Sequence, residues 1–170
     1  SKELFLDVTD SANTSASPWY DTAPSSTVVT LGTGSNGNTN NENYIMYAFS
    51  TKTGYSKFGS YTGNASTNGT FIYTGFKPTW VLIKNSAAAE QWRIYDSKRE
   101  PSNHMFKCIF PNANNGENTT DNGSEEIDFV SNGIKIRSSA QQLNGSGQKL
   151  IYMAFGQSIV GSNNVPATSR

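Results

Sequence analysis

Residues 51–85 read TKTGYSKFGSYTGNASTNGTFIYTGFKPTWVLIKN, and the fold turns on how this stretch is read. Short apolar runs are separated by Gly, Asn, Ser and Thr, the residues that supply tight turns. In "TWVLIK", alternation puts Trp80 and Leu82 on one face and Val81 and Ile83 on the other, a strand covered on both sides. The "GYSKFGSYTG" run reads as turn-rich, which leaves Tyr55 and Tyr61 at the surface. Almost nothing in the stretch looks catalytic.

The same grammar extends in both directions. "ELFLDV", "TVVTLG", "NYIMYAFS", "QWRIYD", "MFKCIF", "EIDFV", "GIKIR" and "KLIYMAFG" are all short apolar runs between turn-forming clusters. In "QWRIYD", Trp92 and Ile94 are expected to point inward and Arg93 and Tyr95 outward. Trp80 and Trp92 both sit in apolar runs and are assigned to the core. Asn-Gly pairs at Asn36, Asn68, Asn115, Asn122, Asn132 and Asn144 mark turns, and "IDFVSNGIKIR" reads as a hairpin turning on Asn132 and Gly133. Only "NSAAAEQW" has a helical flavour, and it is too short to form a stable helix. The expectation is an all-β protein, an antiparallel β-sandwich or flattened barrel of about ten short strands.

Composition narrows the function classes. The chain has 170 residues, 13 basic and 13 acidic, so no long-range field draws it to nucleic acid or an anionic membrane. Aromatics make up 12% of a chain that is only 35% apolar, so the core is built from few, large side chains. Cys108 is the single cysteine; no intrachain disulfide can form, and its place in "MFKCIF" points to a buried, inert thiol. No run is long and apolar enough to insert in a membrane. The sequence opens at Ser1 without methionine, which reads as a processed or trimmed piece of a longer chain.

An internal echo divides the sequence. "TVVTLG…NENYIMYAF", ending at Phe49, parallels "GIKIRS…GQKLIYMAF", ending at Phe155, and "ELFLDVTDSANT" precedes the first as "MFKCIFPNANNG" precedes the second. Residues 1–50 therefore read as the C-terminal half of a preceding β-repeat, 51–160 as a complete sandwich unit, and 161–170 as a tail. Repeats of this kind stack along a fibre or lend strands to one another.

The phrases "GYSKFGSYTGN", "FIYTGFKPTWVLIK", "WRIYDSKR", "IDFVSNGIKIR" and "YMAFGQSIVGSNNVPATSR" resemble a family of bacteriophage virion proteins found in tail fibres and related appendages. The resemblance is close from Tyr44 to Arg170 and diverged before it. It implies a β-rich structural domain in a phage particle, located on the virion and associated with other virion proteins, with fibres commonly trimeric. It carries no catalytic residues.

Candidate chemistry follows from residue types. Sugars are held by a flat aromatic face and by polar groups on their hydroxyls, so a host-surface glycan is the ligand expected, with Trp19, Tyr20, Tyr55 and Tyr61 as the candidate contacts. An alternative is that these rings pack between subunits, since interfaces also favour Tyr and Trp. "TTDNGSEEID" offers Asp121, Glu125, Glu126 and Asp128 as hard oxygen donors of the kind calcium takes, but the EF-hand spacing is missing and a solvated acidic turn is the favoured reading. One His and one Cys argue against zinc. His104 in "EPSNHMF" lacks any nucleophile context and reads as a loop histidine bonded to solvent or backbone. "YDSKRE" suggests a surface ion-pair network. Carboxylate pairs for glycan cleavage could be drawn from Asp96, Glu100, Glu125, Glu126 and Asp128. No cofactor motif is present and none is expected. The leading expectation is a phage appendage domain contributing to host attachment. A capsid or appendage protein binding only virion partners, and a glycan-cleaving virion enzyme, are the alternatives.

Overall fold

The structure is a computed structural model that describes residues 2–15 and 17–157; the tail expected at 161–170 lies outside them. Nine strands are present among the described residues. A two-stranded ribbon pairs β1 (Lys2–Glu3) with β2 (Asn13–Thr14). A four-stranded antiparallel sheet takes the order β3 (Ser56–Thr62), β9 (Lys149–Gly156), β5 (Pro78–Asn85) and β6 (Arg93–Asp96). A three-stranded antiparallel sheet orders β4 (Phe71–Tyr73), β8 (Gly133–Ile136) and β7 (Ile127–Val130). The two larger sheets make a sandwich, not a closed barrel. Two single-turn helices, α1 (Ser35–Asn38) and α2 (Gln141–Asn144), complete the elements.

Register fixes which side chains meet in the core. Tyr61 pairs with Leu150, Val81 with both Ala154 and Tyr95, and Ile83 with Tyr152, so all project from one face of the large sheet. Facing them, Ile72, Ile127, Phe129, Ile134 and Ile136 project from the small sheet. Each fully buried aliphatic side chain is worth about 1.5–3 kcal/mol. Ile and Val side chains, together with the rings of Tyr61, Tyr95, Phe129 and Tyr152, hold the layers together.

Several expectations change at this point. "YSKFGSYT" is not turn-rich surface but the seven-residue strand β3, because it lies beside β9 along its whole length. In "QWRIYD" the faces are reversed: Arg93 and Tyr95 are on the core side, and Trp92 and Ile94 are on the other. Trp92 is buried, yet under the N-terminal segment, its indole donating to the Phe5 carbonyl at 2.9 Å. Trp80 is half-buried on that same outer face, 5.7 Å from the Phe155 ring. The hairpin turns on Ser131 and Asn132, with Gly133 already in β8.

"TVVTLG" and "NYIMYAFS" carry strand periodicity but form no strand, and Ile45 and Tyr47 are 82% and 79% exposed. The physical reason is that a strand exists only through its ladder, and no neighbour offers one here. "MFKCIF" makes only bridges, Met105 with Ile127 and Ile109 with Ile94. Hydrogen bonds tie the N-terminal segment to the sandwich. Lys84 is fully buried and its ammonium donates to the carbonyls of Thr9, Asn85 and Ala88 at 3.1, 2.7 and 3.0 Å, while Ala12 N–H donates to Ser86. Burial lowers the Lys84 pKa, with nearby Glu90 opposing.

Candidate functional site: an N-terminal aromatic cleft and an acidic loop

The four aromatic candidates separate into distinct surroundings. Tyr61 is buried, and its hydroxyl donates to the Leu143 carbonyl at 2.7 Å; burial pushes its pKa far up. It is a core residue, not a surface contact. Tyr55 is partly exposed and lies edge-on to Phe155 at 6.0 Å, in a cluster that also holds Phe49, Phe58 and Trp80.

Trp19 lines a cleft of about 380 Å³, with Phe5, Leu31, Lys2, Glu3 and Asn36 among its walls. The cleft is assembled from three short segments. The β1–β2 ribbon brings Lys2 and Glu3, with Asn13 donating to the Glu3 carboxylate at 2.9 Å. The Trp19 turn is clamped to the segment that carries Leu31 and α1, since Gly32 N–H donates to Pro18 and Gly34 N–H to Ser17. Gly34 sits close enough that an added Cβ would come 3.2 Å from the Ser17 carbonyl carbon. Tyr20 and Asp21 then adopt left-handed backbone, φ 49° and 47°, a strained conformation for side-chain-bearing residues. Tyr20 stands beside the cleft residue Trp19 and is 67% exposed. An indole beside a cation, a carboxylate and an amide is a combination able to hold a polyhydroxylated ring.

The acidic run is split rather than gathered. Glu125 is buried and accepts a bidentate pair from Arg93, Nε at 2.5 Å and Nη2 at 3.1 Å. Burial alone would lower the Arg93 pKa; the hydrogen bond and charge of Glu125 outweigh it and raise it. Asp128 is taken by Arg137 at 2.5 Å. Asp121 and Glu126 remain outward, and His104 joins them, its Nε2 3.1 Å from the Asp121 carboxylate. The hydrogen bond to Asp121 raises the His104 pKa, and His104 first, then Glu126, lower that of Asp121. His104 is thus bonded to a carboxylate, which spacing in sequence gave no way to foresee.

The other polar expectations also resolve. Glu100 is buried and accepts the Phe106 and Lys107 N–H groups at 2.7 and 2.8 Å, and Asp96 accepts Lys98 N–H, so "YDSKRE" forms turns instead of an internal ion-pair network. Arg99 reaches Glu117 at 3.1 Å. Cys108 is fully buried, and burial with the Glu125 charge pushes its thiol up to about 12. No helix among the described residues is long and apolar enough to cross a membrane.

The architecture is an all-β sandwich with an N-terminal segment hydrogen-bonded to it. The chain belongs to a family described as a domain of unknown function (DUF7483), whose profile matches residues 1–158. Comparison with curated proteins and with solved structures gave no match.

Proposed function

We propose that this chain is a domain of a bacteriophage virion appendage, most simply a tail fibre, that contributes to attachment by binding a host-surface glycan. The observation that carries the reading is the Trp19 cleft, an aromatic wall with Lys2, Glu3 and Asn36 beside it. The resemblance of the "GYSKFGSYTGN" and "IDFVSNGIKIR" phrases to virion appendage proteins supports the setting. Binding at one such cleft is weak, and several copies on one particle multiply it.

A second reading has its own observation. Tyr44, Ile45, Met46, Tyr47 and Phe49 form an apolar run with every one of these side chains exposed, which suits packing against other virion proteins or further copies of this chain, a trimer among them. On this reading the chain is structural and residues 1–50 are the half-repeat that neighbours complete.

Competition for adsorption separates the two. The purified chain, added to host cells before phage, should reduce adsorption, and it should bind isolated host polysaccharide. Trp19→Ala should weaken that binding at least tenfold, while Tyr61→Phe should leave it unchanged. Neither competition nor polysaccharide binding would remove the adhesive role and leave the structural one.

A further inference from the structure

We infer that His104, Asp121 and Glu126 form a binding site for one divalent transition-metal ion of the zinc class. Their ligand atoms, one imidazole nitrogen and two carboxylate oxygens, all lie within 4.8 Å of one another. A single cation at the centre of such a set reaches all three with small side-chain rotations.

The positions are held by the core, not by chance on a loose loop. Met105 and Ile127 exchange two backbone hydrogen bonds, 2.7 and 2.9 Å, which sets His104 and Glu126 beside the same bridge. The Asn103 side chain exchanges two more with the Phe129 backbone, each 2.9 Å, fixing the residue before His104. Ile127 and Phe129 are themselves core residues. Asp121 completes the set from the turn that Asn122 closes onto Ser124 N–H.

Charge points the same way. Four acids stand between residues 121 and 128; the buried two, Glu125 and Asp128, are neutralised by Arg93 and Arg137. Asp121 and Glu126 have no Lys or Arg partner among the described residues. Two adjacent carboxylates with only an imidazole beside them favour a cation, which bound ions supply as the largest local charge. The donor set selects which cation. Calcium takes six to eight oxygens, whereas one imidazole with two carboxylates suits zinc and its neighbours, water completing the shell. The single His and Cys that argue against a His- and Cys-rich zinc site do not bar this one, because two of its three ligands are carboxylates.

The site spans the long excursion from β6 to β7, with His104 near its start and Asp121 and Glu126 near its end. A bound ion therefore staples residues 97–126 across the edge of the small sheet. The consequence is greater thermal stability and slower proteolysis of that loop.

The test uses the tag-free full chain, stripped with EDTA. Titration with ZnCl₂ by calorimetry should show one equivalent per chain. Zinc at a hundredfold excess over its dissociation constant should raise Tm by roughly 5 °C or more. His104→Ala, Asp121→Asn and Glu126→Gln, with unchanged circular dichroism, should each weaken binding at least tenfold, and CaCl₂ should not displace zinc. Absence of saturable binding, binding that survives His104→Ala, or displacement by calcium at equal concentration would overturn the assignment.

Discussion

The Arg93–Glu125 pair gives the sharpest test of how this core is built. Both side chains are almost fully buried, 5% and 10% exposed, and the contact is bidentate. Gln142 adds a longer bond to Glu125, and Arg93 also donates to the Gln91 carbonyl. Glu125→Gln keeps the shape but leaves a guanidinium in the interior without its counter-charge, which costs about 3–5 kcal/mol. For a chain of this size each kcal/mol shifts Tm by about 2–4 °C, so the expected fall is roughly 6–20 °C. The double variant Arg93→Met with Glu125→Leu removes both desolvation penalties and should recover stability to within about 1–2 kcal/mol of the parent. Urea unfolding followed by circular dichroism measures all three proteins. The reasoning fails if Glu125→Gln loses less than about 1 kcal/mol, or if the double variant is no more stable than the single one.

Other expectations rest on single side chains. Asn144 is fully buried; its side chain accepts Asn64 N–H and donates to Asn64, Ser66 and Ser138, all at 2.8–2.9 Å. Asn144→Leu should cost about 2 kcal/mol or more by denaturant unfolding, because it removes all four bonds and leaves the buried Ser138 carbonyl without this donor. At Gly133 a Cβ would lie 2.2 Å from the Ile72 carbonyl, so Gly133→Ala should part β4 from β8 and lower stability by about 2 kcal/mol or more. Gly116→Ala, with nothing within 4 Å, should be nearly neutral in the same assay. The Cys108 thiol, pushed up to about 12, stays protonated at pH 8 and should react with a disulfide reagent only after unfolding. Prompt labelling of the native protein would contradict its burial.

Legibility varied by element, and the reasons are physical. The strands β5, β7, β8 and β9 were evident because apolar alternation and Asn-Gly turns are local properties, carried by the residues themselves. β3 was missed because Ser56, Gly59 and Ser60 have weak strand propensity; its seven pairs with β9 override it. The same pairing buries Tyr61, which local sequence presents as part of a turn. The same cause works in reverse at "NYIMYAFS", where propensity is high and no partner strand is present.

The candidate sites show the same division. That Trp19 sits in a turn, and that acids crowd residues 121–128, are facts of sequence. Which acids remain outward was decided by Arg93 and Arg137, which reach Glu125 and Asp128 across 32 and 9 residues. His104 meets Asp121 only because the bridge at Met105 and Ile127 folds the long loop back on the small sheet. Sequence alone settled the all-β class, the charge neutrality and the inert cysteine, since each depends on composition or on neighbours along the chain. The facing of β6, the burial of Tyr61 and the grouping of the ligating side chains were decided by tertiary structure, because each depends on a partner that spacing does not specify.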